Sequence, residues 1–230
     1  MQGVKSLDAF SRGPVVELPS YTRGEERMNM ISHIVGGTLS VAALALLCVF
    51  SALHHDPWAV VSSAIYGVTL TTMFTVSSIY HGLHIGKAKR VMRVIDHCDI
   101  YFLIAGTYTP ILLVAIRPLN AEIAWTIFAV EWALTALAVT LNAIDLKRYE
   151  KISMACYIGM GWCIVAVLRL TIEAMTMPGF LLLLFGGIAF TIGAVLYNIG
   201  KRVHYMHSVF HIFVIIGCAL QFSAIFFYVI

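Results

Sequence analysis

Near the C-terminal end, the stretch HSVFH sets His207 and His211 four residues apart. On a helix this spacing stacks two side chains on one face, so both imidazoles can grip a single ion, as the two histidines of an H-E-x-x-H helix do. A third imidazole would complete the three protein ligands of a catalytic zinc site, whose fourth position belongs to water. SSIYH offers that third imidazole as His81, with Ser77 one helical turn before it. DHCDIYFLIAGTYTP offers Asp96, a carboxylate able to orient or deprotonate the water and to offset the charge of a divalent ion held by neutral imidazoles. Among abundant metals, three histidines favour Zn2+.

Something must carry these residues, and the composition says what. Of 230 residues, 60% are hydrophobic and 12% charged, with a mean hydropathy of +0.88; soluble domains hold about 45–50% apolar and 25% charged residues. The chain therefore reads as an all-α, polytopic membrane protein, because hydrocarbon offers no partner to backbone groups and the apolar runs are too long for barrel strands. Seven spans of roughly 20 apolar residues each are expected, at about 32–53, 58–83, 94–116, 121–142, 152–173, 180–199 and 205–230. Residues 1–27 form a polar segment without the apolar run of a signal peptide, and 28–230 form one seven-helix bundle. The net charge of +3 comes from Lys and Arg gathered in short connections, which points to topology and against a nucleic-acid partner.

Those connections orient the bundle. The N-terminal segment and the connections 2–3, 4–5 and 6–7 carry thirteen Lys and Arg, whereas only Arg117 and Arg169 fall on the opposite side. The positive-inside rule then places the N-terminus in the cytoplasm and, after seven crossings, the C-terminus outside. His81 ends span 2 at the cytoplasmic face. Asp96 opens span 3 about one turn past Arg93, and His207 lies five residues, roughly 7–8 Å, past Arg202. Three separate segments thus deliver His81, Asp96, His207 and His211 to one depth, where Ser77 can hydrogen-bond Asp96 or the water.

The other polar residues divide more plainly. His33, in EERMNMISHIVGG, is read as a further pocket residue, together with Tyr80 and Tyr101 from the two central motifs. His54, His55, His84, His97 and His204 are read as interfacial hydrogen-bonding residues, and Asp99 and Glu131 as facing neighbouring helices. The five cysteines lie in or beside spans without a C-x-x-C pair, so they are read as packing residues of a reduced protein.

Taken together, EERMNMISHIVGG, SSIYHGLH, DHCDIYFLIAGTYTP and HSVFH, in this order over seven spans, resemble the hemolysin III family, the bacterial branch of the progestin-and-adipoQ receptor superfamily. The likeness runs from about residue 25 to the C-terminal end, and its DHCDIYFLIAGTYTP stretch is specific. It implies a zinc ion on His81, His207 and His211, with Asp96 and Ser77 as the matching family aspartate and serine, in a multi-pass protein of the plasma membrane. Kinship with alkaline ceramidases implies a lipid amide or ester as substrate or ligand; the family's naming for red-cell lysis implies a pore or toxin. Three readings stay open at this point: a zinc hydrolase, a membrane-perturbing or channel protein with a structural zinc, and a sensor of ligand or membrane state. Protein partners are left unassigned.

Overall fold

A computed structural model describes residues 16–54 and 56–230. The ordered elements are α1 (Arg23–Leu53), α2 (Pro57–Gly82), α3 (Lys87–Pro110), α4 (Ala121–Ile144), α5 (Glu150–Trp162), α6 (Leu168–Ile199) and α7 (Met206–Tyr228). No strand occurs among the described residues.

Local sequence explains where the helices begin. Thr22 opens α1 with a capping box: its hydroxyl accepts from the Glu25 amide at 3.2 Å, and the Glu25 carboxylate accepts from the Thr22 amide at 2.8 Å. Two otherwise orphaned donors are satisfied reciprocally. Asp56, followed by Pro57, caps α2, and Asn120 caps α4, each side-chain oxygen taking an amide the helix cannot pair. In α3, Pro110 has no amide to donate, and the helix widens into a π turn over Ile111–Ile116, the kind of irregularity a mid-helix proline induces.

Six segments are long and apolar enough to cross a membrane: α1, α2, α3 with its π extension, α4, the continuous stretch Glu150–Ile199, and α7. The stretch Glu150–Ile199 is not straight. Cys163–Val167 tightens into a 3-10 turn, and Thr176 sits in the left-handed region at φ 61°, two residues before Pro178. The Trp162 indole donates to the Thr191 hydroxyl at 3.0 Å, although 29 residues of straight helix would separate them by about 44 Å. The chain therefore doubles back between them. Tyr108 mends the 3-10 turn, donating to the Gly161 carbonyl at 3.0 Å and accepting from the Ile164 amide at 3.1 Å.

Small residues set how closely the helices approach. A Cβ on Gly67 of α2 would meet the Leu44 side chain at 2.4 Å and the Leu44 Cα at 3.0 Å, so α1 and α2 touch nearly backbone to backbone there. Close contact over small residues is how membrane helices gain packing energy when lipid already surrounds apolar side chains equally well. The core between the helices is led by Leu47, Tyr66, Phe74, Leu112, Met175 and Ile225, each almost wholly buried.

Candidate metal centre

The last turn of α2 and the first turns of α7 bring His81, His207 and His211 together. All three are buried, and one ring nitrogen from each falls within 4.8 Å of the others. The Nε2 atoms of His207 and His211 are 3.1 Å apart, close to the edge of about 3.3 Å between two nitrogens on tetrahedral zinc with bonds of about 2.0–2.1 Å. A direct hydrogen bond between two neutral rings would also give this distance, but it would leave His81 unexplained. His81 Nε2 and His207 Nδ1 are buried without any partner, and buried polar atoms are rarely left so. Donor type, spacing and the orphaned His81 Nε2 fit a metal ion on the three histidines, whereas His207, which faces His211 through Nε2, would keep its Nδ1 unpartnered.

Around this triad, α1 supplies a wall of polar groups. Glu26 Oε2 lies 2.7 Å from His81 Nδ1, Ser32 Oγ lies 3.5 Å from His211 Nδ1, and the Ser208 hydroxyl donates to Asn29 at 2.6 Å. His33 stacks on His211 with ring centres 3.8 Å apart, and neither of its nitrogens has a partner. The start of α7 is pinned from the same helix. Tyr205, left-handed at φ 62°, donates its amide to Glu25 Oε1 at 2.7 Å.

A cavity of about 190 Å3 opens beside the triad. Its polar end is lined by Tyr21, His33, Ser77, Tyr80, Arg93, Asp96, His97, His207 and His211; its far walls are apolar, including Ile104, Leu183, Phe190 and Val214. Ser77 and Arg93 line the same cavity as Asp96. Tyr21 closes the end, its ring stacked on His207 at 4.8 Å between centres. Burial pushes the Tyr21 phenol well above its usual range, so it stays neutral there. A second cavity, of about 760 Å3 and lined by Arg93, Lys147, Glu150, Lys201 and Arg202 among others, adjoins it. The chain entering α1 is tied down beside it: Lys147 Nζ donates to Glu17 at 2.7 Å, which holds the exposed Glu17 carboxyl below its usual range, and Arg93 donates to the Glu17 carbonyl.

Most sequence-derived site residues meet at this place: Ser77, Tyr80, Asp96 and His33 line the cavity with His207 and His211, and His81 completes the triad. Tyr101 does not line it, which corrects the expectation that it is a pocket residue. The cavity face of α3 runs through Asp96, His97, Ile100, Leu103, Ile104, Thr107 and Tyr108, an arc of about 140° of the helix circumference, and Tyr101 falls just past its edge. Tyr101 instead stacks on Tyr157 at 4.3 Å between centres. His97, read as merely interfacial, lines both cavities, while its carbonyl accepts from the Tyr157 hydroxyl at 2.7 Å. His204 Nδ1 lies 3.3 Å from Glu25 Oε2; His54 and His84 are exposed, and His55 lies outside the described residues. Glu131 faces the 3-10 turn that follows α5, accepting from the Cys163 thiol at 2.9 Å, and the five cysteines are free.

Glu25, Glu26, Asn29, Lys89 and Tyr21 were not singled out from sequence. One signal was present: positions 25, 26, 29, 32 and 33 are polar at helical spacing on an otherwise apolar helix, the mark of a face turned away from lipid.

A bundle of membrane-length helices with an internal histidine triad defines a class, and comparison with known proteins narrows it. Residues 21–222 match the family model described as Haemolysin-III related. The chain is 36% identical over 206 residues to Hemolysin-3 of Bacillus cereus, covering 90% of this chain and 92% of that protein. It is 34% identical over 208 residues to the Hemolysin-3 homolog of Bacillus subtilis (strain 168), covering 90% and 96%. A more distant likeness, 26% over 209 residues, covers 87% of this chain and 83% of the Monocyte to macrophage differentiation factor of Homo sapiens. The chain belongs to the hemolysin III family, as a multi-pass membrane protein.

Proposed function

We propose that this protein is a zinc-dependent hydrolase of a lipid amide or ester, working inside the bilayer from the plasma membrane. One observation carries the reading: a buried three-histidine cluster contributes His207 and His211 to a cavity that Asp96 and Ser77 also line, and that cavity continues between apolar walls. His81, His207 and His211 would hold the ion. Bound Zn2+ would supply Lewis acidity, lowering the pKa of a water to about 7 and polarising a carbonyl oxygen. Asp96 would orient the attacking water and take its proton on the carboxylate, a role worth about 10²–10⁴ in rate. Ser77 would donate its hydroxyl where negative charge builds on the carbonyl oxygen. The apolar walls would seat an acyl chain and keep bulk water from the polar end.

In this reading Glu150–Ile199 makes two crossings. As one straight helix its 50 residues would reach about 75 Å, more than twice a hydrocarbon core of about 30 Å. Two crossings there give seven in all, with the N-terminus cytoplasmic, the C-terminus outside and the triad near the cytoplasmic surface.

The test compares wild type, Asp96→Asn and His207→Ala, purified into vesicles, for metal by elemental analysis and for release of fatty acid from ceramides and phospholipid esters. Asp96→Asn is expected to keep most of its metal and lose hydrolysis; His207→Ala is expected to lose both. Retention of metal and of full hydrolysis in Asp96→Asn would remove the general base. A wild type that holds metal but hydrolyses nothing would favour a structural ion that staples α2 to α7.

A further inference from the structure

Neutral histidine carries one ring proton, and a metal takes the nitrogen that lacks it. Which nitrogen of His81 is free is therefore decided by whatever holds the other. Two groups of α1 compete for His81 Nδ1: the Glu26 carboxylate at 2.7 Å and the Asn29 amide nitrogen at 3.5 Å. The amide would need Nδ1 bare, whereas the carboxylate needs it protonated. The carboxylate contact has the length of a strong charge-assisted bond and the amide contact lies at the limit of bonding, so the carboxylate prevails. Asn29 is otherwise engaged through its Oδ1, which accepts from Ser208.

The ionised form of Glu26 is itself supported. Lys89 Nζ lies 2.8 Å from Glu26 Oε1 and also donates to the carbonyls of Tyr80 at 3.0 Å and Leu83 at 3.1 Å. Its three ammonium protons thus have three acceptors, and the buried lysine is fully satisfied. The same ammonium closes the end of α2, where helix carbonyls lack partners, just beside His81.

We propose that Glu26, held by Lys89, is a positioning residue of the metal site: it fixes His81 as the Nδ1–H tautomer and turns its bare Nε2 toward His207 and His211. This inference rests on the reading of the triad as a metal site. It accounts for the unpartnered His81 Nε2 and for a buried lysine beside a cationic centre, because the Glu26–Lys89 pair is neutral as a unit.

The experiment reads tautomer and metal separately. Long-range 1H–15N correlation spectra of metal-free protein, with His81 identified by its loss in His81→Gln, report which ring nitrogen carries the proton. Zn2+ affinity is measured by competition with a chromogenic chelator. Wild type is expected to show a single Nδ1–H form; Glu26→Met, which removes the acceptor, is expected to lose it and to bind Zn2+ about 10–100-fold more weakly. Because Glu26→Met strands the Lys89 charge, the double variant Glu26→Met/Lys89→Met is measured beside it, with circular dichroism as the folding check. The double variant is expected to recover stability but not affinity. If it recovered wild-type affinity, Glu26 would serve only to neutralise Lys89, and the proposal would be overturned. An unchanged tautomer in Glu26→Met would overturn it as well. A wild type unable to bind Zn2+ would sink the metal reading, while the tautomer in metal-free protein would still decide for or against Glu26.

Discussion

Removing the triad one imidazole at a time should not give three equal losses. Apparent binding energies of about 10–16 kcal/mol for four-ligand structural zinc assign about 2.5–4 kcal/mol to each ligand, or a weakening of about 10²–10³-fold. His81→Ala and His207→Ala should fall in that range. His211 differs, because His33 lies against it with ring centres 3.8 Å apart and has both nitrogens unpartnered. In His211→Ala the space vacated by the ring lets His33 move toward the ion and replace it in part, so the loss should be about tenfold smaller. His33→Ala/His211→Ala should then drop to the level of the other two. The assay is chelator competition on purified protein, with thermal unfolding to verify the fold. Full metal occupancy in all three single variants would refute the site; identical losses in His211→Ala and the double variant would refute the rescue by His33.

Two further outcomes test the architecture. If the proposed seven crossings hold, a reporter active only in the cytoplasm, fused after Ile230, should be silent, because an excess of thirteen Lys and Arg over two then predicts an external C-terminus; strong activity would overturn the crossing number or the orientation. Gly67→Ala should destabilise the bundle by about 1–3 kcal/mol, since its Cβ meets the Leu44 backbone at 3.0 Å and overpacking outweighs the gain in helix propensity of about 1 kcal/mol. Gly159→Ala, with nothing within 4 Å, should be neutral or stabilising in the same thermal assay, and equal effects at the two glycines would contradict the packing.

What could be read from sequence was what repeats locally. The pair His207 and His211 follows from helical spacing alone, and Asp96 and His81 from counting turns inward from charged connections. Tyr101 lies off the cavity because sharing a motif with Asp96 is not sharing a face, and five residues turn a side chain by a net of about 140°. His97 was underrated for the converse reason: one residue past Asp96, it still falls within the arc that Asp96, Ile104 and Tyr108 present to the cavity. The kink within Glu150–Ile199 falls in the gap between the expected apolar runs 152–173 and 180–199. Its device, a left-handed Thr176 followed by Pro178, was not legible, since threonine seldom adopts that conformation.

The polar face of α1 shows most clearly where sequence reading stops. Its helical spacing is visible, but its meaning lies in pairings 52 to 180 residues away: Glu26 and Asn29 with His81, Ser32 with His211, Glu25 with Tyr205. No local pattern encodes those distances. Physical necessity does, once the bundle is assembled, because ionisable groups drawn into apolar surroundings persist only with partners. Helix α1 therefore acts as the reference against which α2 and α7 are set. Glu25 fixes the first turn of α7, Glu26 fixes the last turn of α2, and the ends so fixed are those that carry His207, His211 and His81. The distance between the two histidine-bearing helices is thus governed by a third helix that contributes no member of the triad.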